Sequence, residues 1–146
     1  MENEDSKGLL NVHRAHISEC YIASKVRKEG YVVRKLAKQG KKLSEGFFKP
    51  QFVYLNDKGI EDVFKQYTGD KELLLNLLKD NLVGLPDFIC LKDNKISFIE
   101  VKTERASLSE EQGKVFHVLK NNGFEVTIRR VRVNLEVEEL NLEEKY

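Results

Sequence analysis

Three charged residues border two apolar segments in the middle of the chain, and their types suit metal-assisted chemistry. Asp87 precedes the first segment, 88–91, while Glu100 and Lys102 stand at the end of the second, 96–101. A polar Lys-Asp-Asn-Lys stretch separates the two segments, which is typical of a β-hairpin. Apolar residues occupy both faces of these strands, so the pattern predicts that they are buried.

The pairing of the hairpin follows from the length of its turn. If Leu91 pairs with Ile96, Asp87 lies directly opposite Glu100, with Cβ atoms about 5 Å apart. Lys102 then projects from the same face, because strand side chains alternate with a period of two. Two carboxylates and a lysine in an apolar setting are costly unless something compensates their charge.

Facing carboxylates form an oxygen-rich site suited to Mg²⁺ or Mn²⁺. Such an ion can activate a water molecule and neutralise charge on a phosphoryl oxygen. Lys102 beside it could orient that water and stabilise the developing negative charge. We interpret Asp87, Glu100 and Lys102 as a candidate site for phosphodiester hydrolysis, with a structural ion-pair cluster as the alternative.

Other chemistries find little support in the sequence. His13, His16 and His117 have no zinc-binding spacing. No GxxxxGK[ST], GxGxxG or GxSxG motif is present, so neither nucleotide binding nor a serine hydrolase is indicated.

The composition predicts one cytoplasmic domain without a membrane span. The 146 residues are 40% hydrophobic, enough for one core. No apolar run approaches the roughly 20 residues that a bilayer requires, and the acidic first residues do not resemble a signal peptide. Cys20 and Cys90 lie in helix and strand patterns, which favours free, buried thiols in a reducing cytoplasm.

A net charge of +1 conceals a segregated distribution. Residues 25–49 carry nine basic side chains against two acidic ones, whereas the chain from Glu136 onward is acidic. The basic flank could bind a polyanion or be an ordinary solvated surface. Its candidate nucleic-acid-binding residues are Arg34, Lys35, Lys38, Lys41 and Lys42.

Periodicity predicts the elements that position the site. A helix is expected over 11–29 after an acidic lead, followed by a strand over 31–36 and helices over 60–67 and 70–82. Glu19 falls on the apolar seam of the first helix, either as a further acidic group near the metal or as a rim residue reaching water. A helix from Ser109 to about Asn121 and a strand over 124–133 complete the chain.

The start of the helix at Ser109 has two interpretations. Ser109-Glu-Glu-Gln112 is a capping box, which accounts for Gln112 by itself. Gln112 also belongs to the inward face of the helix, where it could point toward the carboxylate end of the neighbouring strand. Both interpretations remain open from the residues alone.

Taken together, Gly84-Leu-Pro-Asp87, Glu100-Val-Lys102 and Leu108-Ser-Glu-Glu-Gln112 resemble the PD-(D/E)XK nuclease superfamily. The extended pattern is similar to the VRR-NUC branch and, more distantly, to archaeal Holliday-junction resolvases. The resemblance is close over residues 82–133 and looser over 11–36.

The resemblance implies an α/β fold with a restriction-endonuclease-like core, in which helices flank a mixed central β-sheet. Asp87, Glu100 and the Val101 carbonyl would bind Mg²⁺, and Lys102 would be the catalytic lysine. Gln112 would support the lysine or the metal-bound water. Glu19 matches the acidic residue often found on the first helix of the family.

The implied activity is that of a Mg²⁺-dependent DNA endonuclease acting on branched or structured DNA, in which a homodimer would supply two cuts. A nuclease-fold module that binds nucleic acid or a partner protein without cutting is the alternative, and RNA remains open as a substrate. The chain departs from the family in an apparent insertion at about 37–83. We expect this insertion, within a single domain spanning 1–146, to influence which substrate is chosen.

Overall fold

The computed structural model describes residues 4–36, 59–132, 134 and 136–141, with side chains described from Ala15 onward. Four helices and four strands are found in these ranges. In chain order they are α1 (Glu4–Lys28), β1 (Val32–Lys35), α2 (Glu61–Gln66), α3 (Lys71–Asp80), β2 (Phe88–Lys92), β3 (Lys95–Thr103), α4 (Glu110–Asn121) and β4 (Glu125–Val131).

The strands form one mixed sheet in the order β1-β2-β3-β4. β1 pairs antiparallel with β2, and β2 pairs antiparallel with β3. β3 and β4 run parallel, joined by the crossover through α4, because parallel neighbours cannot be connected by a tight turn. A mixed sheet flanked by helices confirms the expected α/β fold with a restriction-endonuclease-like core.

The β2–β3 hairpin has the predicted register. Leu91 pairs with Ile96 around a two-residue turn, Asp93-Asn94. Both turn residues have positive φ, 51° and 59°, as the two central residues of a type I′ turn require. This turn type matches the twist of the two strands, so the local sequence determines the pairing.

The sheet is buried on both faces, as the apolar pattern predicts. Ile89, Leu91, Ile96 and Phe98 pack in one core against side chains of α2, α3 and α4. The opposite face forms a second core with α1, whose members are Ile22, Ala23, Val26, Val33, Phe88, Cys90 and Ile99. The paired ends of β2 and β3, where Asp87 and Glu100 stand, therefore lie between two packed layers of side chains.

The helix boundaries confirm most of the predictions and correct one. α1 begins at Glu4, so assigning residues 4–10 to a lead outside the helix is wrong. The acidic residues of that stretch favour a helix N-terminus through the helix dipole. At the other end of α1, Gly30 has a φ of 99°, the left-handed conformation that is common where a helix ends.

Part of the apparent insertion packs on the sheet. α2 and α3 join the first core, and the Asp70 side chain caps α3 by accepting a 3.0 Å hydrogen bond from the Leu73 amide. Residues 37–58 lie outside the described residues. None of the helices in the described ranges is both long and apolar enough to cross a bilayer.

Candidate active site

Asp87 and Glu100 face each other at the end of the hairpin, as the register predicts. Both are buried, with exposed fractions of 3% and 1%. The Asp87 amide donates to Glu100 Oε1 at 3.1 Å, and the Val101 amide donates to Asp87 Oδ2 at 2.7 Å. Each carboxylate is therefore held by the backbone of the opposite strand, which fixes the orientation of both.

Lys102 and Gln112 complete one side of this arrangement. Lys102 Nζ lies 3.2 Å from Glu100 Oε2 and donates to Gln112 Oε1 at 3.0 Å. Gln112 Nε2 in turn donates to the same Glu100 oxygen at 2.8 Å. The three side chains form a closed triangle of polar contacts, so the amide of Gln112 orients both the lysine and the carboxylate.

The start of α4 positions Gln112. Ser109 Oγ accepts from the Gln112 amide at 3.1 Å, and Gln112 Oε1 accepts from the Ser109 amide at 3.0 Å, which completes the predicted capping box. The same oxygen also accepts from Lys102. The two interpretations of Gln112 are therefore compatible, because one side chain caps the helix and contacts the candidate site.

Lys35 lies on the other side of the carboxylates. Its Nζ is 2.9 Å from Asp87 Oδ1 and 2.8 Å from Glu19 Oε1, and its side chain passes over the Phe88 ring, with Nζ 5.4 Å from the centroid. The ammonium group thus bridges the carboxylate that precedes β2 and one of α1. Glu19 reaches the site through this bridge.

The position of Lys35 corrects its assignment to a nucleic-acid-binding surface. It is 3% exposed and paired with two carboxylates, so it cannot lie on an open basic flank. The signal that would have found it is the alternation of β1, which places Lys35 on the same face as the buried Val33. Using that signal required knowledge of which strand pairs with β1.

Arg34, another residue of the predicted basic flank, pairs with α2. Arg34 contacts Asp62 of α2 through a forked ion pair, in which Nε donates to Oδ1 at 3.1 Å, and it also donates to the Val33 carbonyl. Arg34 therefore joins β1 to α2. Lys38, Lys41 and Lys42 fall outside the described residues.

The donor set fits a hard divalent cation in number and kind. Within the described ranges, no three His, Cys, Asp or Glu side chains are grouped closely enough to hold a metal ion. Mg²⁺ does not need three, because it retains several waters and is often held by one or two carboxylates. Asp87 and Glu100 supply two carboxylates. Together with Glu19 they carry three formal negative charges, against the two positive charges of Lys35 and Lys102.

The core beneath the site keeps Cys90 protonated. Burial raises the pKa of the Cys90 thiol to about 12, partly offset by Arg129 and Arg27. The thiol is free and buried, as predicted, and such a group is chemically inert. Cys20, also free, is half-buried, and its pKa is raised mainly by burial.

Part of the chain is similar to a known protein family. Residues 65–133 match the protein-family model of the VRR-NUC domain. The match includes the hairpin, α4 and β4, and with them Asp87, Glu100, Lys102 and Gln112; Glu19 and Lys35 precede it. No curated protein sequence gives a significant match.

Proposed function

Since residues 65–133 match the model of the VRR-NUC domain, a member of the PD-(D/E)XK nuclease superfamily, we propose that the protein is a Mg²⁺-dependent endonuclease acting on branched or structured DNA. The observation that carries this proposal is the contact network of Asp87, Glu100, Lys102 and Gln112. The family match supports the class of chemistry, and this network would supply the groups that the chemistry needs.

Asp87, Glu100 and the Val101 carbonyl would hold the metal. A bound divalent ion would activate a water molecule for attack on phosphorus and offset charge on the phosphoryl oxygens. The protein's own contribution is rigidity, because both carboxylates accept backbone hydrogen bonds across the hairpin. Ligands fixed before binding do not lose conformational freedom when the ion arrives.

Lys102 would act on the attacking water and the developing charge. Its ammonium group is held between Glu100 and Gln112, so it approaches the phosphate in a defined direction. A fixed positive charge in a largely desolvated site stabilises a negatively charged transition state more than a mobile one in water. Gln112 would keep the lysine in place without adding charge of its own.

Lys35 would balance the negative side of the site. Its single positive charge contacts both Asp87 and Glu19 and so offsets part of their negative charge in a buried position. This arrangement suits a site that must stay folded both with and without its metal ion.

The test is cleavage of supercoiled, linear and four-way-junction DNA in Mg²⁺ and in EDTA. We compare wild type with Asp87→Asn and Lys102→Met, and we use Asp93→Asn as the matched control. Asp93 lies on the same hairpin but in its exposed turn, where asparagine also tolerates the positive φ. Circular dichroism verifies that each variant is folded.

We expect Mg²⁺-dependent cleavage of junction DNA by wild type and Asp93→Asn, and a loss of at least about a hundredfold in the two site variants. The proposal is wrong if folded wild type cuts none of these substrates, or if Asp87→Asn cuts as fast as wild type. Binding without cleavage by the wild type would instead identify a non-cleaving nucleic-acid-binding module.

A further inference from the structure

A groove of about 600 Å³ runs between α1 and β4, separate from the carboxylate pair. On the α1 side it is lined by Ile17, Tyr21 and Lys25, which stand four residues apart and therefore share one helix face. Ile17 and Tyr21 are 50% and 57% exposed. Apolar and aromatic groups on an open helix face indicate a surface that a ligand can cover.

The charge of the groove is of one sign. Lys25, Arg129, Arg130 and Arg132 line it, and no carboxylate does so among the described residues. Arg130 also donates to the Glu104 carbonyl, which orients its guanidinium without neutralising it. Four cations lining one groove are complementary to a polyanion, and a surface of this kind would repel an identical copy of itself.

The groove begins on the strand next to the one that carries two of the candidate site residues. Val101 pairs with Arg129 and Lys102 pairs with Arg130 in the parallel β3–β4 ladder, so the arginines begin one strand away from the candidate catalytic residues. From Arg129 to Arg132 the chain extends about 10 Å, at about 3.3 Å per residue. The cations are therefore spread along the strand, as the successive phosphates of a nucleic-acid backbone are.

We propose that this groove binds a single-stranded segment of the nucleic acid adjoining the cut. Phosphates would contact Arg129, Arg132 and Lys25, and an unpaired base would stack on Tyr21. Cationic grooves with an exposed aromatic ring are the usual means of holding single strands, because every base has a face that can stack. The inference rests on the proposed nuclease function only in treating the neighbouring site as the place of cutting.

The experiment measures binding of a fluorescent oligo(dT) strand and of a blunt duplex by anisotropy, in EDTA so that no cleavage occurs. The variants are Tyr21→Ala and the double variant Lys25→Gln/Arg132→Gln. Lys65→Gln/Lys114→Gln is the matched control, since it removes two exposed lysines from other surfaces. Each protein is titrated at several salt concentrations.

For the wild type we expect tighter binding of oligo(dT) than of the duplex, and for the control no change. Tyr21→Ala should weaken oligo(dT) binding at least about fivefold. The double charge variant should reduce the slope of log K against log salt by about 1.4, because each phosphate that is no longer neutralised on a single strand lowers it by about 0.7.

Two results would overturn the inference. One is oligo(dT) affinity and salt dependence in both groove variants equal to those of the control. The other is a wild-type dimer in sedimentation that Tyr21→Ala converts to a monomer, since the groove would then be an interface between copies. These outcomes are independent of cleavage: Asp87→Asn tests the nuclease, and the EDTA titrations test the groove.

Discussion

Replacing Lys35 by methionine tests the charge arrangement of the site most directly. The substitution keeps most of the aliphatic stem, which packs over Phe88, and removes the ammonium group that lies 2.8 Å from Glu19 and 2.9 Å from Asp87. Asp87 would remain buried, at 3% exposure, with a second carboxylate nearby and without the bridging cation.

The expected cost follows from that burial. Removing one partner of a buried ion pair costs about 3–5 kcal/mol, because the other charge is left uncompensated. Glu19 is partly open to water, with a side-chain exposed fraction of 15%, so we take the lower end, about 3 kcal/mol. For a chain of this length the melting temperature should fall by about 6–12 °C.

The assay is urea denaturation, with and without Mg²⁺. Lys65→Met is the matched control, since Lys65 is exposed and pairs across a helix turn with Glu61, and it should change stability by less than about 0.5 kcal/mol. If Asp87 takes part in metal binding, saturating Mg²⁺ should stabilise Lys35→Met more than wild type, because the ion supplies the missing positive charge.

The reasoning is refuted if Lys35→Met unfolds within about 1 kcal/mol of Lys65→Met in EDTA. Equal stabilisation of wild type and Lys35→Met by Mg²⁺ would contradict only the expectation that the ion replaces the charge of Lys35. In that case the ion, if bound, would not interact with the charge that Lys35 balances.

Three further predictions concern the scaffold of the site. Gly84→Ala should destabilise the fold by about 1–3 kcal/mol, because φ is 97° and a Cβ would lie 3.0 Å from a carbonyl oxygen of α4. Gly113→Ala, with open space around it in that helix, should instead add about 0.5–1 kcal/mol, and thermal melts of both variants check the contrast. The raised pKa of Cys90 means that the folded chain binds the thiol proton more tightly, so above pH 9 its share of the stability should fall by about 1.4 kcal/mol per pH unit. Denaturation at pH 8 to 10 should give a shallower loss for Cys90→Ala, and parallel curves would contradict this. Ser109→Ala should lower stability by about 1 kcal/mol, because α4 loses the capping hydrogen bond that Ser109 Oγ accepts from the Gln112 amide. DNA cleavage by the folded enzyme should also slow, since that bond helps to position Gln112; unchanged cleavage would show that Gln112 needs no such support.

Most of the fold features that could be predicted from the sequence depend on local patterns. The hairpin register follows from a two-residue turn and strict alternation, so Asp87 and Glu100 could be paired by arithmetic. The capping box at the start of α4 likewise depends on only four consecutive residues, 109–112. Such features depend on neighbours in the chain, and short-range physics is sufficient to predict them.

Lys35 shows where local reasoning ends. It stands 52 residues from Asp87, and its role depends on β1 pairing with β2, which no turn between them specifies. Within a run of basic residues its charge suggested a surface, whereas its strand position places it in the core. Charge patterns predict exposure well only when the pairing of the element is known.

The Asp93-Asn94 turn has a consequence for how this domain can vary. It lies about 20 Å along the strands from the carboxylates, at about 3.3 Å for each residue. Because side chains alternate, one residue inserted into the turn would shift the strands and send one of the two facing carboxylates to the opposite face of the sheet. Relatives should therefore keep the length of this exposed turn and vary its two residues mainly among Asn, Asp and Gly, which tolerate positive φ.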